Sequence, residues 1–249
     1  MTAKTSEPVD DRERGARQTG IAKSTGYDPL VLALVALTFS TGLIDAVSYI
    51  GLGHVFVANM TGNVVLLGFA AAGVPGLSVS RSLVSLVAFV VGAAGGGRLE
   101  TVMAAGHRRH WILGVGVAEA ALIIAAAVTS FGFDIDAGTP ADHLYAMIAL
   151  TAITMGLRNA TVRRLSVPDL TTTVLTLTLT GLAADSPLAG GNNPRVVRRL
   201  FSVGVLFGGA AIGAFLLLYG LALPLFVTAA CVLGTTAAYA SVAGSTEKG

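Results

Sequence analysis

Apolar residues run from Leu30 to Ala243 in stretches of about 20, divided by short polar breaks. The stretches are roughly Leu30–Leu52, Val55–Gly73, Leu83–Met103, Trp111–Phe131, Leu144–Val162, Leu170–Ala184, Leu200–Tyr219 and Leu223–Ala243. A helix of a soluble domain shows one polar face, whereas these are apolar on all sides. The pattern predicts an all-α, polytopic helical membrane protein with a single transmembrane domain over 30–243.

How many stretches span follows from where the basic residues fall, because Lys and Arg collect in cytoplasmic loops. With eight full spans and a cytoplasmic N-terminus, Arg98, Arg108, Arg109, Arg158, Arg163 and Arg164 face outside, and the acidic loop with Asp134, Asp136 and Asp142 faces inside. If the second and sixth stretches enter and leave on the same side, only Arg81 of the 16 basic residues lies outside, and the acidic loop faces out. Leu170–Ala184 also reaches only about 22 Å as a helix, against a hydrocarbon core of about 30 Å. The favoured architecture is therefore about six spans plus two short re-entrant or broken segments; the alternative is eight spans.

The two interrupted regions echo one another. GLIDAVSYIGLGHVFVANMTGN, from Gly42 to Asn63, carries Asp45, Asn59, Thr61, Gly62 and Asn63 within apolar surroundings. Gly42-Leu43-Ile44-Asp45-Ala46 aligns with Gly156-Leu157-Arg158-Asn159-Ala160, and Gly92-x-x-x-Gly96 matches Gly209-x-x-x-Gly213. Small residues at that spacing let helices approach closely. Three spans per half would invert the second half (about 144–243) relative to the first (about 30–131). Inverted repeats with broken helices meeting near the midplane are the architecture of many transporters.

Composition agrees: 53% of residues are hydrophobic, 12% are charged and 31 are glycine. The lone Cys231 leaves no disulfide framework or cysteine-based metal cluster. Residues 1–29 are polar and mixed in charge, and read as a disordered cytoplasmic tail rather than a signal peptide; residues 244–249 form a short C-terminal tail. His54, His107, His110 and His143 lack zinc-site spacing, and no phosphate loop, nucleophile elbow or dinucleotide fingerprint occurs. No enzyme chemistry, cofactor or nucleic-acid partner is expected. The expected partners are the bilayer and a small solute, and a homo-oligomer is compatible with the sequence.

Two carboxylates lie inside apolar stretches, Asp45 and Glu119. A charge at mid-membrane costs about 2.5–3.5 kcal/mol on insertion scales, so such groups face the bundle interior and commonly mark ion or proton paths. Each is either a proton carrier or a neutral carboxyl that satisfies a neighbour's backbone. Asn159 is the non-ionising mate of Asp45. Thr173 and Thr176 share a helical face and, with Asn59, Thr61, Gly62 and Asn63, are candidates to line a polar path; hydroxyls bonded back to the preceding turn are the alternative. The Thr-Leu alternation after Thr176 also fits a strand, but a lone strand in lipid leaves its backbone unpaired.

GLIDAVSYIGLGHVF with VANMTGN, and later GLRNATVRRL with DLTTTVLTLTLT, resemble the YoaK-like family of bacterial multi-pass membrane proteins, a domain of unknown function, over nearly all the chain after Leu30. The second motif departs from the family pattern at Leu177, where glycine is usual, and at Arg158, where glutamine is common. The resemblance implies an inner-membrane protein of about six spans and brings no substrate. The reading is a small-solute permease, proton-coupled or not, in the bacterial cytoplasmic membrane with both termini cytoplasmic. The alternatives are a passive channel and a non-transporting subunit or scaffold.

Overall fold

A computed structural model describes residues 29–103, 108–165, 175–193 and 195–246. Most of the expected N-terminal tail, the last three residues and Thr173 lie outside them. The helices are α1 (Pro29–Ala46, continued by a π-helical turn, Val47–Gly51), α2 (Met60–Ala71), α3 (Val79–Met103), α4 (Arg108–Thr129), α5 (Ala141–Leu165), α6 (Leu175–Ala184), α7 (Val196–Leu217) and α8 (Ala222–Thr246). No strand occurs among the described residues, and the Thr-Leu alternation resolves as the helix α6. Helix α8 runs through Thr246, past the expected start of the C-terminal tail.

Five helical stretches are long and apolar enough to cross a membrane: Leu32–Gly51, Val79–Met103, His110–Thr129, Val196–Leu217 and Ala222–Ser241. Helix α5 is as long but carries Asp142, Arg158, Arg163 and Arg164, and it is buried on most of its turns from Leu144 to Val162. Several buried positions are polar. Thr38, Thr41, Thr151, Thr154 and Thr228 are buried and donate to carbonyls one turn back, while Val87, Val90, Phe207 and Leu218 point outward. Back-bonding is how a hydroxyl meets its hydrogen-bonding demand in an apolar medium.

Glycines set the closest crossings. A side chain on Gly92 of α3 would collide with the backbone of Ile153 in α5, and one on Gly156 of α5 with Phe89 and Ala93 in α3. The same contacts recur between α7 and α1, where Gly209 lies on Phe39 and Gly42 on Leu206 and Ala210. One turn further on, Gly96 meets Leu157 and Ala160, and Gly213 meets Leu43 and Ala46. Each contact in one pair has its counterpart in the other, along the register in which Gly42 matches Gly156. The remaining packing is paired too: α5 on α4 and α1 on α8, α2 on α3 and α6 on α7, with α4 against α8.

These contacts fix the helix directions. Helix α1 is parallel to α7, since Phe39 meets Gly209 and Gly51 meets Leu217 and Leu221. It is antiparallel to α5, since Leu34 packs on Val162 while Ser40 and Thr41 reach Arg158. Helix α3 is parallel to α5, with Ser80 bonded to Tyr145 at one end and Glu100 paired with Arg164 at the other. The Arg81 guanidinium at the start of α3 donates to the Gly53 carbonyl, just past the end of α1, at 3.1 Å. Helix α3 therefore begins where α1 ends, so residues 52–78 enter and leave at one end of the bundle. Helix α5 ends and α7 begins at the end where α1 begins, called here the lower end. Eight alternating spans would make α4 and α8 parallel. They are antiparallel, with Gly116 on Thr236 and Phe131 beside Phe226, which excludes that alternative.

Alanine at Gly156 or Gly209 must push two backbones apart, a cost on the order of 1–3 kcal/mol, whereas Gly95→Ala and Gly208→Ala, which meet open space, should be neutral or gain up to about 1 kcal/mol. Thermal midpoints in detergent check both. In a Cys231→Ser background, single cysteines at Gly76 and Ala137 should react with an impermeant thiol reagent from one side of the membrane and one at Ala189 from the other.

Candidate functional site

Two short helices stop part-way through the bundle, and their amino ends lie on one groove. After α1 the chain reverses at Gly53 and His54 (φ 80° and 61°), dips inward, and returns as α2. Asn63 holds the dip: its Oδ1 accepts from Phe56 N at 2.8 Å, and its Nδ2 donates to the Phe56 carbonyl and, at 3.0 Å, to Ser85 Oγ. Ser85 in turn donates to the Phe56 carbonyl at 2.6 Å. The irregular backbone is thereby satisfied where lipid could not satisfy it. Asn59 caps α2 by accepting from Gly62 N at 3.2 Å.

Helix α6 is held from the opposite end. Arg199 Nη1 donates to the Gly181 carbonyl at 2.6 Å and to Asp185 Oδ2 at 2.7 Å, and Asn193 Nδ2 donates to the Leu182 carbonyl at 2.9 Å. These bonds tie the carboxyl end of α6 to the start of α7 and leave its amino end deeper. The groove between the half-helices holds about 800 Å³ and is lined by Asn59, Thr61, Gly62 and Thr176, together with Tyr49 and Phe56. Both helices present the positive end of their dipole to it. Tyr49 belongs to the π-helical turn, a distortion common at functional sites. Asp45 lies one turn before Tyr49, and its Oδ1 is buried with no hydrogen-bond partner among the described residues.

The other expected path residues fall elsewhere. Asn63 is fully buried and engaged with Phe56 and Ser85. Asn159 lies in a separate pocket between α3 and α5, with Glu100, Arg163 and Arg164, so the mate of Asp45 does not share the groove. The packing glycines Gly92, Gly96, Gly209 and Gly213 all sit at helix crossings.

Glu119 belongs to a buried ionic centre that the sequence reading missed. Its Oε2 accepts from Arg158 Nε at 3.0 Å, with the two side chains 4% and 1% exposed. Arg158 Nη1 donates to Ser40 Oγ at 2.8 Å and to Thr41 Oγ1 at 3.3 Å, while Nη2 has no partner among the described residues. Arg158 is therefore not a loop anchor on the cytoplasmic side, as the tally of basic residues had it. Glu119 in one apolar stretch demanded a buried cation, and both Arg98 and Arg158 fall within other stretches; 39 residues separate Glu119 from Arg158, and sequence spacing could not pair them.

Removing one partner leaves an uncompensated buried charge: Arg158→Met or Glu119→Leu alone should cost about 3–5 kcal/mol, and the double variant should recover most of it, measured as unfolding free energies in mixed micelles. Asn63→Ala should cost about 1–3 kcal/mol by orphaning the Phe56 backbone.

Residues 33–238 match the family model described as Protein of unknown function (DUF1275). The UPF0700 transmembrane protein YoaK of Bacillus subtilis (strain 168) is 34% identical over 166 residues, covering 65% of this chain and 68% of that protein. No solved structure matches the chain. A family model spanning most of the chain, a transmembrane relative at this identity and a bundle of long apolar helices agree, and the chain belongs to the DUF1275 family of membrane proteins.

Proposed function

We propose that this chain is a small-solute permease of the bacterial cytoplasmic membrane, with the solute held in the groove between α2 and α6. The observation that carries the proposal is the convergence of two half-helix amino ends, entering from opposite ends of the bundle, on Asn59, Thr61, Gly62 and Thr176. Discontinuous helices whose amino ends face a solute near the midplane are a recurring feature of secondary transporters. We read the halves, about 30–131 and 144–243, as an inverted repeat. The paired glycine crossings and the opposed directions of α1 and α5 support this reading. Arg98, Arg163, Arg164 and Arg195 gather at the lower end and Asp134, Asp136 and Asp142 at the other, which favours a cytoplasmic lower end and cytoplasmic termini.

Asp45 is the coupling carboxylate in this proposal. It lies one helical turn before the groove residue Tyr49 and has an unpartnered oxygen, and an intramembrane carboxyl of this kind suits proton carriage. Proteoliposomes containing a pH-sensitive dye and offered sugars, amino acids and organic acids in turn should show proton-linked uptake of at least one. Asp45→Asn should abolish the dye response while the protein stays folded, and Thr176→Trp should block uptake. Flux indifferent to a proton gradient would identify a passive channel instead. No flux for any solute would overturn the permease and favour a scaffold.

A further inference from the structure

A second cavity lies between α1, α4, α5 and α8 and shares no lining residue with the groove. It has a volume of about 50 Å³ and extends from Ala33, Leu165 and Tyr239 near the lower end to Arg158 and Glu119. Its walls are mostly aliphatic, among them Leu34, Ile112, Val115 and Val162.

We propose that this cavity binds a short-chain aliphatic monocarboxylate together with one proton, the ligand taking the Arg158 guanidinium and Glu119 taking the proton. Glu119 occupies only half of one recognition edge of Arg158. A carboxylate fits a guanidinium best through two parallel bonds, here to Nε and Nη2. Glu119 uses Nε alone, and Nη2, in a side chain 1% exposed, is left without a partner. A buried guanidinium nitrogen in that condition is costly unless an acceptor reaches it. An incoming carboxylate can take both nitrogens once Glu119 withdraws.

Charge dictates the proton. Two carboxylates on one guanidinium would leave a net negative charge in a low-dielectric interior. If one proton from water at the lower end forms an O–H bond on Glu119 as the anion docks, the site stays neutral, and no other bond forms or breaks. Arg158 and Thr161 face this point from α5; α1 offers Ser40, Thr41 and the Leu37 carbonyl. From α8 come Tyr239, which lines the cavity, and Cys231, within electrostatic reach of Arg158. Glu119 is the sole carboxyl among the described residues lining the cavity. The aliphatic walls suit a short alkyl tail, and the volume limits it to a few carbons. Because Arg158 joins α1 and α4 to α5, binding also exchanges a bond between the two halves.

The single tryptophan, Trp111, packs on Val115 of the cavity wall and serves as the reporter. Purified full-length protein in detergent is titrated with propionate, chloride and nitrate at constant ionic strength set with sulfate, while fluorescence is read. Propionate should saturate and the inorganic anions should not. Its affinity should fall about tenfold per pH unit as pH rises, the slope of one linked proton, and binding in unbuffered solution should take up one proton. Glu119→Gln should bind without that pH dependence, and Arg158→Lys should lose binding. Thr235→Leu, which fills the cavity while leaving the ion pair intact, should lose it too; melting curves confirm that each variant is folded. Equal binding of chloride or nitrate, a pH slope that survives Glu119→Gln (the undissociated acid binding by itself), undiminished binding by Thr235→Leu, or no saturable binding would each overturn the proposal. Equilibrium binding does not require transport, and Thr176→Trp should leave it unchanged, so its failure is separable from failure of the permease reading.

Discussion

Backbone-to-backbone contact at two glycine crossings governs this bundle. Where Gly42 and Gly209 join α1 to α7, and Gly92 and Gly156 join α3 to α5, no side chain fits between the helices. In lipid, helices gain nothing from hiding apolar surface from one another, so close dispersion contact and polar pairing must hold them. Each crossing fixes a parallel pair of helices. The half-helices lie instead between antiparallel neighbours, α2 between α1 and α3 and α6 between α5 and α7.

A segment that enters a membrane and turns back leaves backbone groups that only protein can satisfy. The two ends solve this with different chemistry. On the upper side Asn63 and Ser85 take up both polar groups of Phe56. On the lower side the charged Arg199 side chain binds the Gly181 carbonyl and Asp185, next to Asn193. The amide pin is fully buried, whereas the charged clasp keeps a half-exposed carboxylate at the bundle end, where ions are less costly. The related architecture therefore rests on unlike side chains, which is why the second insertion is a weak echo of the first at the level of residues.

Buried charge divides the two halves further. Ile44 occupies in α1 the register that Arg158 occupies in α5, so an aliphatic side chain in one half corresponds to the ionic centre of the other. Arg158 draws on α1 and α4 for its partners, and that makes it a buried polar link between the halves, where the Ser80–Tyr145 and Glu100–Arg164 contacts are exposed. Asp45, by contrast, keeps an unpartnered oxygen. The two intramembrane carboxylates thus have different surroundings: one is neutralised by a fixed cation and the other is not.

Much of the architecture was legible in the chain itself. Hydrophobic segment length and the placement of arginines separated six long helices from two short ones, because hydrocarbon thickness and the asymmetry of charged loops act on local sequence. The Gly42 and Gly156 motifs and the two small-residue pairs marked the crossings, because only glycine permits such an approach. What the sequence left open depended on distance through space. It placed Asn63 with the path when the side chain pins Phe56, counted Arg158 among the cytoplasmic basic residues when it lies beside Glu119, and set Asn159 with the path as the mate of Asp45 when it lies in a separate pocket. For Arg158 and Asn159 the surroundings come from helices far away in sequence, whereas Asn63 is set by Phe56, seven residues back, and by Ser85 of α3. Periodicity and spacing describe what a segment can bury; only tertiary packing decides which polar group stands opposite it.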